Sequence, residues 1–444
     1  MWITARHGDG RCESGFSDRY RQAYRYWEEA DKKIKQLQRI NPYLVDLTIR
    51  ETAASTAKGH SLETKIELLR QMQEFGFQYI VLGALNYAYS DMLEVDDYFL
   101  MHVSQQQCDK RSFYAFTSKG CSEGGVFRPD PSMLKLQKYG IPNTFLEISL
   151  CDDYFTLNAA QRRIYLDDLI QSIYWIRHAN APGDAKVMVN IVDGCDAFLQ
   201  EPQAVCEMLS LLSQHPIEGI SIEDPRGTFM HFQIGAFVSM ARVFMPAPLK
   251  ILVHVHSGNG CENAGVLEAL LQGADGVWGG LPKQAATHGH ASLAELLANL
   301  MRVNNPHIAR QYQMQRLLPF IRNLEQRLVN DELLDDNASI IGKNAYTLHL
   351  SVFEQRLGRA MDLPPERIGG QYAYRVCAVV SDTRVLRKRL YEIFAVSDIE
   401  LSEAVLIRMI GQMRADLNEG IVLDYDQPEM LKMLFDKIKD RRFE

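Results

Sequence analysis

The sequence predicts an α/β chain whose main body is a TIM (β/α)8 barrel, followed by small, mainly helical C-terminal subdomains. Two positive observations carry this. Eight strand-like runs alternate with helical stretches over about 250 residues, the pattern of parallel β/α units that close into a barrel. Polar residues also gather at several strand ends at once, as they do at one rim of such a barrel. A third observation is negative: no G-x-G-x-x-G follows the first strand, which argues against an open doubly wound sheet.

The elements follow in order. Residues 1–40 form a polar lead, helical through Y-W-E-E-A-D-K-K-I-K-Q-L, and residues 41–304 form the barrel. Its strands are expected at Leu44–Ile49, Gln78–Leu82, Ser112–Phe116, Phe145–Ser149, Val187–Ile191, Glu218–Ile222, Ile251–Val255 and Gly276–Trp278. A helix over Ser61–Phe75 has a serine N-cap, a glutamate close behind and Gly76 as its stop. Further helices are expected at Ala159–Ala179, Pro202–Ser213, His231–Phe244, Glu262–Leu271 and Ser292–Val303. Residues 305–362 read as a linker helix, Gln311–Val329, a solvated loop from Asn330 and a short mixed unit. Residues 363–444 are helical, with segments at Val385–Phe394, Ser402–Asn418 and Gln427–Lys437.

With 444 residues, 46% hydrophobic and 23% charged, the composition is that of a globular protein. A net charge of −8 argues against nucleic acid as a partner, because phosphate binding needs a concentrated basic face. The N-terminal charges leave no room for a signal peptide, and no apolar run is long enough to span a membrane. A cytoplasmic protein is expected. Its eight cysteines include no C-x-x-C pair, which suits reduced thiols.

The strand ends carry the chemistry. In K250-I-L-V-H-V-H-S-G-N-G260, His254 and His256 are spaced i, i+2 and so point to one side of a strand. One inward imidazole is commonly a core residue, but two on one face need only a carboxylate or two to complete a divalent metal site. The first strand brings Asp46, Thr48 and Arg50 on one face, with Glu51 at the rim. The fourth brings Glu147 and Ser149, the fifth Asn190 and Asp193, and the sixth Ser221 and Glu223, with Arg226 just beyond. His290 follows the eighth strand, two residues before a serine suited to capping the next helix. A cation held by one carboxylate and two or three imidazoles keeps open positions, polarises a carbonyl or α-oxo acid, and leaves a neighbouring arginine to balance enolate or alkoxide charge. That combination suits carbon–carbon bond chemistry, and hydrolysis uses similar ligands.

On D46-L-T-I-R50-E51 and H254-V-H256 the chain resembles the DRE-TIM metallolyase superfamily, whose D-x-T-L-R-[DE] motif meets an H-x-H at strand seven. Within it, G289-H-A-S-L-A-E-L-L, I341-G-K-N-A-Y346 and the helical tail are similar to the 2-isopropylmalate, homocitrate and citramalate synthases, over roughly residues 40–425. The resemblance implies Claisen-type condensation of acetyl-CoA, or a related acyl-CoA, with a 2-oxo acid. It also implies a divalent metal (Mg, Mn or Zn), and a homodimer whose C-terminal segments exchange. By it Arg50 is catalytic, Glu51, His254 and His256 hold the metal with His290 as a fourth candidate, and His349 is a candidate base. Asp46, Thr48, Glu147, Asn190, Glu223 and Arg226 are left for the substrate, and the guanidinium of Arg226 would suit an anionic one.

The substrate motifs depart from the family. T52-A-A54 replaces G-E-Q, D224-P-R-G227 lacks the family threonine, S257-G258 replaces N-D, and only His349 remains of H-x-S-G-x-H. Hydroxymethylglutaryl-CoA lyases share the metal motifs but carry a cysteine in a G-G-C-P loop, where this chain reads Gly279-Gly280-Leu281-Pro282. A third reading is a ligand-binding protein descended from such an enzyme.

Overall fold

The computed structural model describes residues 14–55, 59–87, 95–106, 110–179, 185–284, 288–327, 335–359, 361–394 and 401–440. Cys12, Cys108, Val329 and the first residues of the loop from Asn330 lie outside them. The eight expected strands are present as Tyr43–Asp46 (β1), Tyr79–Ala84 (β2), Phe113–Ser118 (β3), Asn143–Ile148 (β4), Val187–Ile191 (β5), Gly219–Asp224 (β6), Lys250–Val255 (β7) and Gly276–Gly279 (β8). All pair in parallel in chain order, and β1 pairs with β8 to close the barrel.

Alternation along each strand divides two cores. Inside the barrel, Val45, Val81, Tyr114, Phe116, Phe145, Met188, Leu252 and Trp278 make an aromatic plug. Outside, Leu44, Ile80, Leu146, Ile220 and Val253 pack against the helices. The floor of the plug is a tyrosine set: Tyr43 stacks on Tyr79 at 4.1 Å, and its hydroxyl meets that of Tyr114 at 2.7 Å. Such a filled interior confines open space to the rims.

The helices begin and end where local chemistry dictates. Ser61 accepts from the amide of Thr64, so Leu62–Phe75 starts there, and Gly76 at φ +118° stops it. Ser292 likewise caps Leu293–Arg302 by accepting from the amide of Glu295. The expected helix Gln311–Val329 is divided: Pro306–Gln311 and Leu317–Arg327 flank a 3-10 turn at Met314–Arg316.

The largest departure from expectation is at the first strand. It ends at Asp46, and Thr48–Ala54 is a helix. The Asp46 carboxylate accepts from the Thr48 amide (3.1 Å) and hydroxyl (2.7 Å), turning the chain where a longer strand is expected.

After the barrel, a two-residue ribbon pairs Thr347–Leu348 with Ala373–Tyr374. The helices Thr383–Ile393, Glu403–Asn418 and Pro428–Asp440 then share a core of their own around Leu390, Met409, Met413 and Leu431. Among the described residues no helix is long and apolar enough to cross a membrane.

Gly76 provides a test of the fold. A Cβ there would meet the Gln311 carbonyl, and φ is one that L-residues rarely adopt. Gly76→Ala should lower stability by about 2 kcal/mol or more in urea unfolding. A loss below about 0.5 kcal/mol would mean that the turn re-forms around the methyl group.

Candidate metal centre and barrel mouth

The C-terminal rim is built from β7 outward. His254 is buried, stacks on Trp278 with ring centroids 3.8 Å apart, and donates from Nδ1 to the Trp278 carbonyl at 2.9 Å. That bond fixes the tautomer and leaves Nε2 as a lone pair aimed across the mouth. Nε2 of His256 lies 3.1 Å from it and 3.4 Å from Oε1 of Glu223, the strand partner of His254 on β6. Glu223, His254 and His256 thus place three ligand atoms within 4.8 Å of one another. Donors about 2.0–2.2 Å from one ion sit at such mutual distances. Burial and the other two imidazoles hold His254 well below the usual histidine range, so it stays a neutral donor.

The remaining expected residues divide into those the rim gathers and those it does not. Asn190 donates to Oε2 of Glu223 at 3.0 Å, and among the described residues no donor reaches its own buried amide oxygen. Glu147 accepts from Asn86, and burial together with the charge of Glu223 pushes its carboxyl up to about 7. Arg50 projects over the ring of Phe116, 5.6 Å from its centroid, and pairs with Glu51. Its charge is felt at Glu147, His254 and His290.

Glu51, expected as the acidic ligand, stands on the Thr48–Ala54 helix beside Arg50, while the carboxylate gathered with the histidines is that of Glu223, expected at the substrate. His290 is buried 5.0 Å from His254, ring to ring. Its Nδ1 donates to the Ala291 carbonyl and its Nε2 accepts from the Gly280 amide at 3.3 Å, so both ring nitrogens have partners.

Asp46 and Thr48 do not share a face with Arg50 in the mouth. Val45 and Leu47 belong to the interior and Leu44 to the outer shell, so Asp46 alternates outward. The Thr48 hydroxyl donates to Asp46 and accepts from the Leu281 amide at 2.9 Å, tying the end of β1 to the loop after β8. Ser149 and the amides of Leu150 and Cys151 donate to Asp193, which braces the loop after β4. Ser221 accepts from the indole of Trp278. Arg226 is exposed and pairs with Asp196. His349 follows the small ribbon, where its carbonyl accepts from Ser381; no hydrogen bond, ion pair or ring contact among the described residues joins it to the mouth.

Two mouth residues escaped the sequence analysis. Trp278 was legible in principle, since period-two counting along β8 turns it inward beside β7. Asn86 lies in a short turn after β2, where periodicity gives no signal.

No family model matches the sequence. The structure does have neighbours. A hydroxymethylglutaryl-CoA lyase from Pseudomonas aeruginosa superimposes with a TM-score of 0.52 at 13% identity, over 66% of this chain and 94% of the lyase. The Bacillus subtilis HMG-CoA lyase gives 0.53 at 15% identity, over 71% and 98%. An Acinetobacter baumannii HMG-CoA lyase, in complex with coenzyme A and 3-methylmalate, gives 0.53 at 13%, over 66% and 93%. The chain shares the fold of these lyases. They align with most of their own length, whereas about a third of this chain has no counterpart in them.

The fully buried Asp46 gives a pH test. Burial pushes its carboxyl up to about 7, against about 4 in an unfolded chain. Its contribution is therefore full at acid pH and is lost as pH rises through 7. Asp46→Asn can still accept from Thr48 but does not titrate. The stability difference between wild type and variant should shift against the wild type by on the order of 1 kcal/mol per pH unit between about 5 and 7. Urea unfolding at several pH values measures it, and a pH-independent difference would show that Asp46 ionises normally in the folded chain.

Proposed function

We propose that this chain is a metal-dependent enzyme that makes or breaks a carbon–carbon bond beside a carbonyl group, in the manner of the DRE-TIM metallolyases. The observation that carries the reading is the cluster of Glu223, His254 and His256 at the barrel mouth, beside the Arg50 guanidinium. A divalent ion (Mg, Mn or Zn) held by these three would supply Lewis acidity to a carbonyl or 2-oxo acid.

The chain's own groups supply the rest. Arg50 balances charge on the carbonyl oxygen as the bond forms or breaks, in a mouth floored by aromatic rings where electrostatic effects are strong. Glu147 is set to hold or release a proton near neutrality, with Asn86 fixing its orientation. Asn190 holds Glu223 and presents an amide oxygen.

In the finer reading the reaction is condensation of acetyl-CoA, or a related acyl-CoA, with a 2-oxo acid in a cytoplasmic homodimer. It rests on the likeness to the synthases and on the units after the barrel. Exchange of C-terminal units between copies would then bring His349 to the partner's site.

The lyase direction is the second reading, favoured by the neighbours named above, one of which binds coenzyme A and 3-methylmalate. Against it, Leu281 occupies the position of the lyase cysteine, with its side chain fully buried. Thiol release from acetyl-CoA with a panel of 2-oxo acids, and cleavage of 3-hydroxyacyl-CoA esters, separate the two.

Elemental analysis tests the centre itself. His254→Ala combined with His256→Ala should reduce bound metal to background, and Glu223→Gln should weaken binding at least about tenfold, more than Glu51→Gln. Unchanged metal content in the double variant would remove the site. On whichever substrate turns over, Arg50→Ala should lower kcat on the order of a hundredfold with a smaller change in KM, and Arg50→Lys should recover little. Full turnover without Arg50 would leave it a structural ion-pair residue.

A further inference from the structure

The barrel mouth holds two acceptors that no described residue satisfies. Asn190 is fully buried on β5 and Asn86 stands in the short turn Leu85–Tyr87 after β2, and among the described residues no donor reaches the buried amide oxygen of either. A buried oxygen in that condition costs free energy that a donor on a ligand would recover.

Their orientation is fixed by what the nitrogens do. Nδ2 of Asn86 donates to Glu147, and Nδ2 of Asn190 donates to Glu223 at 3.0 Å. Turning either amide over would set its oxygen against a carboxylate oxygen, two acceptors in repulsion, so both oxygens point away from the carboxylates. Asn190 also hydrogen-bonds Glu147, its partner across the β4–β5 pairing. Asn86, Asn190 and Glu147 therefore form one cluster of acceptors.

Charge gives the cluster its preference. Among the described residues the mouth sets Glu51, Glu147 and Glu223 against the guanidinium of Arg50. A divalent ion and that guanidinium would together match these carboxylates, and the carboxylate of a 2-oxo acid would then be a negative charge in excess. A positive group elsewhere on the same substrate removes the excess.

We propose that Asn86, Asn190 and Glu147 form a subsite for a primary ammonium group carried by the 2-oxo substrate. An ammonium has three N–H donors, and the cluster meets them with two amide oxygens and a carboxylate. A hydroxyl has one donor and would leave an amide oxygen orphaned. A second metal ion fits less well, because Glu147 already accepts from both amides and has fewer lone pairs left to offer. A bound ammonium also favours the ionised form of Glu147, the form that takes up a proton, so the subsite is compatible with its role above.

The inference rests on the metal-dependent reading, and the test separates the two. Stable mimics of a 2-oxo acid are titrated by calorimetry into the metal-loaded full chain: N-(2-aminoethyl)oxamate and N-(3-aminopropyl)oxamate against N-propyloxamate and N-butyloxamate, which end in a methyl group instead of the ammonium. At the better-fitting length the ammonium mimic should bind about tenfold or more tightly than its methyl partner. Glu147→Gln keeps an acceptor without the charge, and should bring the pair to within about threefold without weakening the methyl mimic or lowering the metal content. Equal binding within each pair overturns the subsite and leaves the metal reading standing. If the chain takes up no metal, or no mimic binds to the loaded chain, that reading falls and the subsite with it. Two ions per chain by elemental analysis, or a preference that survives Glu147→Gln, also overturns the subsite.

Discussion

The hydrogen bond from Nδ1 of His254 to the Trp278 carbonyl organises the rim. It joins β7 to β8 through a side chain, seats the imidazole on the indole and aims the other nitrogen across the mouth. The indole in turn donates to Ser221 on β6, so three consecutive strands are tied by one aromatic pair. Removing the indole would leave the bond to the backbone carbonyl but take away the surface on which the imidazole stacks and the donor to Ser221.

Below the rim lies a plug of rings, and its rigidity is what makes the geometry above it reproducible. Phe116, Phe145 and Trp278 meet at centroid distances of 5.3–5.6 Å, in tilted contacts that are sensitive to shape. Arg50 rests against the first of these and His254 against the last. The guanidinium and the His254 imidazole are therefore placed by a common floor, although one stands on a helix and the other on a strand.

Much of this was legible because barrels are periodic. Helix limits at Ala159–Ala179, His231–Phe244 and Glu262–Leu271 agree with the expectation residue for residue, since each apolar stripe is bounded by turn chemistry. The pair at 254 and 256 was legible for the same reason. Glu223 was placed at the mouth but not with the histidines, because β6–β7 register, which sets it beside His254, is a property of pairing and not of one strand. The turn at Asp46 was hidden because D-L-T-I reads as strand by composition, and only the reach of an aspartate to a threonine two residues on bends it into a helix. That two-residue capture moved Asp46 and Thr48 from the mouth into the frame.

The rim also has an electrostatic asymmetry. Among the described residues it holds Glu51, Glu147 and Glu223, with Asn86 and Asn190 presenting amide oxygens, against the guanidinium of Arg50, itself already paired. Such a mouth is a well for positive charge and a barrier to negative charge. An anionic molecule arriving first meets repulsion, whereas one arriving after a cation meets attraction and an arginine on the flank. Under the proposed reading, the side chains that would hold the ion would also set the order of arrival, and a carboxylate-bearing molecule would read the occupancy of the site before its shape.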